Sequence, residues 1–203
     1  LRVAVIGLGS GTLACRMEPG ETWRFFEIDP TVVEIARNPA HFTFLSSCAP
    51  NLPIVLGDAR LAFAHEPDRV YDLIIVDAYS SDAIPVHLAT AEAMALYKSK
   101  LAPHGVVTMH ISNRHLELKS IVEGIADANG LKTWIWSSDT EETDDGVRPV
   151  WKRDFPYEAA AEEEVTRREF TRYLVLGAGP MAAANVGLAA WTQLREINTG
   201  EPR

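Results

Sequence analysis

The sequence predicts an α/β domain: a largely parallel sheet with helices on both faces. Short β-branched runs alternate with helical patterns along the chain, which is how strands connected by crossover helices read. The chain opens on Val3-Ala4-Val5-Ile6-Gly7-Leu8-Gly9-Ser10-Gly11, a buried-strand pattern running into glycines. One helix length later Phe25-Phe26-Glu27-Ile28-Asp29 ends a second apolar run on an acid. Glycines at a strand tip let the backbone turn sharply and approach a ligand, and an acid ending the next strand can accept hydrogen bonds from ribose hydroxyls.

Seven strands are expected, at residues 2–6, 22–27, 53–56, 71–76, 105–111, 131–137 and 171–176. Residues 12–17, 30–36, 90–100 and 116–128 read as helices between them. Asp29-Pro30 is an N-cap followed by proline in the first turn. Pro103-His104-Gly105 and Asn129-Gly130 close helices before strands. Residues 137–168 are too charged for a core and read as a solvated loop, within which residues 139–145 form an acidic run. That run lacks the glycine and terminal glutamate of an EF-hand. Residues 158–172 are expected to form an exposed helix, and the alanine-rich, amphipathic residues 181–197 a final helix over the sheet. Trp134 and Trp136 share one strand face, where they would pack against a helix or a second subunit.

At 203 residues, 47% hydrophobic and 23% charged, the chain suits one domain with a sizeable core. Its net charge of -9 argues against nucleic acid as a partner and would welcome a small cation. Cys15 and Cys48 fall in an expected helix and a loop, so no disulfide framework is expected and a reducing, cytoplasmic compartment is the simpler reading. No membrane span or signal peptide is visible. The chain starts without Met in its first core strand, which reads as a fragment of a longer protein.

Spacing narrows the ligand. Gly7, Gly9 and Gly11 give G-x-G-x-G where a dinucleotide loop has G-x-G-x-x-G. The tighter loop points to an S-adenosylmethionine-type ligand, which has no pyrophosphate for a helix N-terminus to hold. NAD binding and a vestigial loop are the alternatives.

In open α/β sheets ligands sit beyond the carboxyl ends of the strands, so the residues after each strand are the candidates. Glu27 would meet the ribose, and Asp58 in Gly57-Asp58-Ala59 could accept from an adenine amino group, although Gly-Asp is also a common turn. After the fourth strand, Asp77 and then Asp82 form a carboxylate pair suited to holding an amine and removing its proton. Helix capping by Asp77 and solvation of Asp82 is the competing reading. His110, Asn113 and His115 follow the fifth strand and could line the cleft, or serve as hydrogen-bonded structural residues. No His, Cys and acid grouping has metal-site spacing, and Ser80-Ser81 lacks a nucleophile elbow.

Taken together, the glycine loop, Phe26-Glu27-Ile28-Asp29-Pro30, Gly57-Asp58-Ala59 and the run from Asp77 to Leu88 resemble the polyamine aminopropyltransferases, the spermidine and spermine synthases, and more closely their bacterial spermidine-synthase-like relatives. The resemblance covers residues 1–135. It implies a Rossmann-like class I S-adenosylmethionine methyltransferase fold, with a seven-stranded sheet of order 3-2-1-4-5-7-6 and its last strand antiparallel. It also implies decarboxylated S-adenosylmethionine as aminopropyl donor, a small cationic amine such as putrescine as acceptor, and a homodimer. Gly7, Gly9, Ser10, Gly11, Glu27, Ile28, Asp58, Ala59 and Asp77 would then bind the donor. Asp77 would take the amine's proton, with Tyr79 and Asp82 in the loop closing over it.

Three departures stand out. The synthases carry an aspartate in the glycine loop where this chain has Ser10, and a neutral hydroxyl holds an ammonium less well. The loop after Asp77 is longer than theirs, and their N-terminal β-hairpin domain has no counterpart in this chain. Methyl transfer from S-adenosylmethionine and a non-catalytic adenosyl-nucleoside-binding regulatory domain are the rival readings.

Overall fold

The computed structural model describes residues 1–78, 84–111, 118–143, 146–154 and 173–178. Eight strands form one sheet: β1 (Arg2–Ile6), β2 (Thr22–Glu27), β3 (Ile54–Leu56), β4 (Tyr71–Val76), β5 (Leu101–His110), β6 (Lys132–Thr143), β7 (Gly146–Asp154) and β8 (Tyr173–Ala178). Their order is β3-β2-β1-β4-β5-β8-β6-β7. Setting β7 aside, this is the expected 3-2-1-4-5-7-6 arrangement, in which the order reverses between β1 and β4. That reversal opens a crevice at the carboxyl ends of the two central strands.

Two expectations about the sheet are corrected. The last strand, β8, runs parallel to both β5 and β6 rather than antiparallel. The antiparallel strand is β7, which lies in the stretch expected to be a solvated loop and pairs with β6 from Ile135↔Asp154 to Thr143↔Gly146. Thr140, Thr143, Val147, Val150 and Trp151 supply the β-branched and aromatic residues that a strand favours. Pro149 lacks an amide hydrogen, and it is accommodated because β7 is the outermost strand.

The helices are α1 (Pro30–Arg37), α2 (Phe44–Cys48), α3 (Ala59–Ala64), α4 (Ala91–Lys100) and α5 (Lys119–Ala128), with 3-10 turns at Thr12–Arg16 and Val86–Leu88. Asp29 caps α1, its side chain accepting from the Thr31 amide, with Pro30 in the first turn as expected. The helices α2 and α3 were not anticipated. β5 also begins at Leu101, earlier than expected, because Pro103-His104-Gly105 sits in an irregularity of the strand rather than before it. The pairing jumps from Tyr71↔Leu101 to Leu73↔Val106, and His104 takes the extra length at a φ of 75°. The expected helices at 158–172 and 181–197 fall outside the described residues.

Strand periodicity divides the core in two. Ala4, Ile6, Ile74, Val76, Val107 and Met109 face one side with Phe63 of α3, Met94 and Tyr97 of α4 and Val122 of α5. Val3, Val5, Phe25, Leu73, Ile75 and Val106 face the other with Ala36 of α1 and Leu45 of α2. Alternate side chains of each central strand are buried on opposite faces, which is why these strands read as continuous apolar runs. Trp134 is buried in the second cluster, so this tryptophan packs inside the domain. Trp136's side chain falls outside the described residues.

The buried Phe63 ring meets Phe26 edge-on at 5.1 Å and Tyr97 edge-on at 5.9 Å. Burying such a ring is worth about 1.5–3 kcal/mol, and edge-on contacts add to it. The contact anchors α3 under the sheet and thereby fixes Asp58 at the helix's leading end.

Candidate active site

The crevice is built from the ends of β1, β2 and β4. Gly7, Gly9 and Gly11 have φ values of 103°, 53° and 83°, all in the region where a side chain is strained. They use that freedom differently. A Cβ on Gly7 would overlap the Asp77 carbonyl oxygen, and one on Gly11 would lie 2.7 Å from the Leu45 side chain. At Gly9 a Cβ would meet nothing within 4 Å. Gly7 and Gly11 therefore pack the loop, and Gly9 borders open space.

Asp77 follows β4 directly. Its amide donates to the Ile6 carbonyl at 2.8 Å, continuing the β1–β4 ladder past the strand end. Its side chain is 30% exposed, and Oδ1 lies 3.0 Å from His110 Nδ1. No helix-capping bond from Asp77 is seen among the described residues. Tyr79 and Asp82 lie outside the described residues, as do Asn113 and His115.

Glu27 is 9% exposed. Its Oε2 accepts from the Leu8 amide at 2.9 Å, and Oε1 accepts from the Ile28 and Asp29 amides at 2.8 and 3.0 Å. A carboxylate offers about four acceptor positions, so one remains for a ligand hydroxyl. Ile28 beside it is 64% exposed, an apolar surface at the mouth of the crevice. Ser10 Oγ pairs with Thr12 Oγ1 at 2.6 Å.

Asp58 Oδ1 caps α3, accepting from the Arg60 amide at 2.8 Å and the Leu61 amide at 3.2 Å. Oδ2 lies 3.6 Å from His87 Nε2. Ala59 is the first residue of α3 and is buried. The structure thus brings Gly7, Ser10, Glu27 and Asp77 to adjoining strand ends, while Asp58 is held by its own helix.

Sequence reasoning missed three contacts. His110 lay among the candidates without a partner, yet Val76↔Met109 register makes Asp77 and His110 the next pair across β4 and β5. The pairing of His87 with Asp58 had no local signal. The third corrects an expectation: Cys15 and Cys48 form a disulfide, with Cα atoms 4.9 Å apart. It joins the turn after the glycine loop to α2, within the usual Cα range for such a bond. Cys15 lies in the helical stretch expected for it, and Cys48, expected in a loop, ends α2.

No protein-family model matches the chain. It is 34% identical over 111 residues to a polyamine aminopropyltransferase of Vibrio vulnificus (strain CMCP6), covering 52% of this chain and 36% of that protein. It is 27% identical over 126 residues to a probable polyamine aminopropyl transferase of Bifidobacterium longum (strain NCC 2705), covering 61% of this chain and 27% of that protein. The chain therefore spans well under half the length of the curated relatives it matches. A solved precorrin 8w decarboxylase from Methanobacterium thermoautotrophicum superposes with a TM-score of 0.50 at 18% identity, covering 74% of this chain and 76% of that one, a likeness of fold. In sequence about half of the chain is similar to polyamine aminopropyltransferases, and apart from β7 the strand order is that expected of a Rossmann-like methyltransferase sheet. No helix among the described residues is long and apolar enough to cross a membrane.

Proposed function

We propose that this chain holds the donor-binding and catalytic part of an aminopropyltransferase, moving an aminopropyl group from decarboxylated S-adenosylmethionine to a small amine such as putrescine. One observation carries the reading: the left-handed glycine loop abuts the backbone of Asp77, so a loop suited to an adenosyl ligand and a partly exposed carboxylate share one crevice. The similarity to aminopropyltransferases supports it.

In this reading Glu27 accepts from the ribose through its remaining acceptor position, and the exposed Ile28 covers one face of the purine. Asp58 and Ala59 border the adenine edge. The acceptor enters as an ammonium and gives a proton to Asp77. Its freed nitrogen lone pair attacks the methylene carbon beside the sulfonium. The carbon–sulfur bond breaks, sulfur keeps the electron pair, and methylthioadenosine leaves. Because the sulfonium is already a good leaving group, the protein's work is alignment, proton removal and exclusion of water. Tyr79 and Asp82 would close over the amine.

Methyl transfer from S-adenosylmethionine is the second reading, favoured by Ser10. With a neutral hydroxyl paired to Thr12 in the loop, no carboxylate from that position opposes the carboxylate of the undecarboxylated donor. Calorimetric titration with both donors and with methylthioadenosine separates the readings. Tighter binding of the decarboxylated donor supports aminopropyl transfer, and preference for S-adenosylmethionine overturns it. Methylthioadenosine binding with no turnover of any amine points instead to a regulatory domain. Asp77→Asn should abolish transfer and leave donor affinity within about twofold; equal loss of both would remove Asp77 from the proton step.

A further inference from the structure

We propose that His110 is a positioning residue for the proton acceptor: its Nδ1–H donates to Asp77 Oδ1 and fixes the carboxylate so that Oδ2 faces the incoming amine. The proposal rests on the aminopropyl-transfer reading of the crevice.

The geometry is set by the sheet. β4 and β5 run parallel with Val76 opposite Met109, so Asp77, just past the end of β4, lies beside His110, the last residue of β5. Their side-chain atoms lie 3.0 Å apart, within ordinary hydrogen-bond range. The His110 side chain is only 10% exposed and that of Asp77 30%, so the imidazole sits on the protein side of the carboxylate and the acid on the crevice side. The backbone of Asp77 is already fixed by the Ile6 carbonyl. The carboxyl plane can still rotate, and among the described residues the donor that limits this rotation is His110 Nδ1. A carboxylate free to turn would present a given oxygen to the amine for only part of the time, and misplacement of a reacting group by an ångström is costly.

The assignment also explains why a histidine suits this place at the end of β5. With a proton on Nδ1 the ring donates to the acid, orienting it as carboxylate partners orient catalytic imidazoles elsewhere, with the roles of support and base exchanged. The proton leaving the amine ends on Asp77, and the His110–Oδ1 bond is kept before and after the transfer.

The test compares wild type, Asp77→Asn, His110→Ala and His110→Asn on the full chain, with decarboxylated S-adenosylmethionine and putrescine. The readouts are kcat, KM for each substrate and donor Kd by calorimetry, with thermal melts to check folding. His110→Ala should lower kcat about 10–100-fold, as loss of supporting partners does elsewhere, with donor Kd within about twofold. His110→Asn places an amide N–H where Nδ1–H was and should recover most of kcat. A fully active His110→Ala beside an inactive Asp77→Asn overturns the inference while sparing the reading beneath it. So does a His110→Asn as slow as His110→Ala although folded. Absence of turnover by wild type removes both.

Discussion

Glu27 Oε2 accepts the Leu8 amide at 2.9 Å, so the acid expected at a ribose also braces the loop between Gly7 and Gly9. Its other oxygen takes two more amides at its own strand end. Glu27→Gln leaves one acceptor oxygen and sets an amide N–H against a backbone N–H. We expect a loss of about 1–3 kcal/mol in stability, read as a lower unfolding midpoint, together with weaker donor binding. If the ligand alone required this acid, affinity would fall and the midpoint would stay.

The disulfide between Cys15 and Cys48 closes a loop with a sequence separation of 33. Chain-entropy reasoning assigns such a cross-link about 3–4 kcal/mol. Because α2 carries Leu45 against Gly11, releasing it should also loosen the glycine loop. Cys15→Ser with Cys48→Ser should therefore melt earlier and bind the donor less tightly. Thiol labelling of the unreduced wild type should find no reactive cysteine; two labelled thiols would contradict the bond.

Tyr71 donates to Glu66 Oε2 at 2.6 Å, and burial first, then that carboxylate, pushes its hydroxyl far above the ordinary value of about 10. The fold thus favours the protonated phenol. That stabilisation is complete below about pH 10 and is lost as pH climbs further, because the unfolded chain ionises first. Tyr71→Phe should cost about 1 kcal/mol at neutral pH and show a flatter decline in unfolding midpoint above about pH 10. An unchanged alkaline slope would assign the decline to other groups.

Much of the sheet was legible because its signal is local. Val3 to Ile6 and Leu73 to Val76 are buried on both faces, and such strands can only read as apolar runs. Asp29-Pro30 announces α1 for the same reason, since a cap and its first turn are neighbours in sequence. β7 escaped because its charged residues outweigh Val147, Val150 and Trp151 when counted together. Cys15 and Cys48, or Asp77 and His110, meet only once the sheet has set their register, and nothing near either residue in sequence encodes the other. Asp58 was legible as an acid following β3, but its capping of α3 depends on a helix that the Gly-Asp turn reading concealed.

The contact between Gly7 and the carbonyl of Asp77 has a bearing on how such a domain can change over time. With Gly7 donating to Phe26 and Asp77 to Ile6, each at 2.8 Å, three strand ends are laced into one block. The glycine loop and the acid cannot be retuned separately, since any side chain at Gly7 would push Asp77 away. Descendants of this chain that change what the crevice holds must therefore do so through segments hung on the block, while β1, β2 and β4 are inherited together.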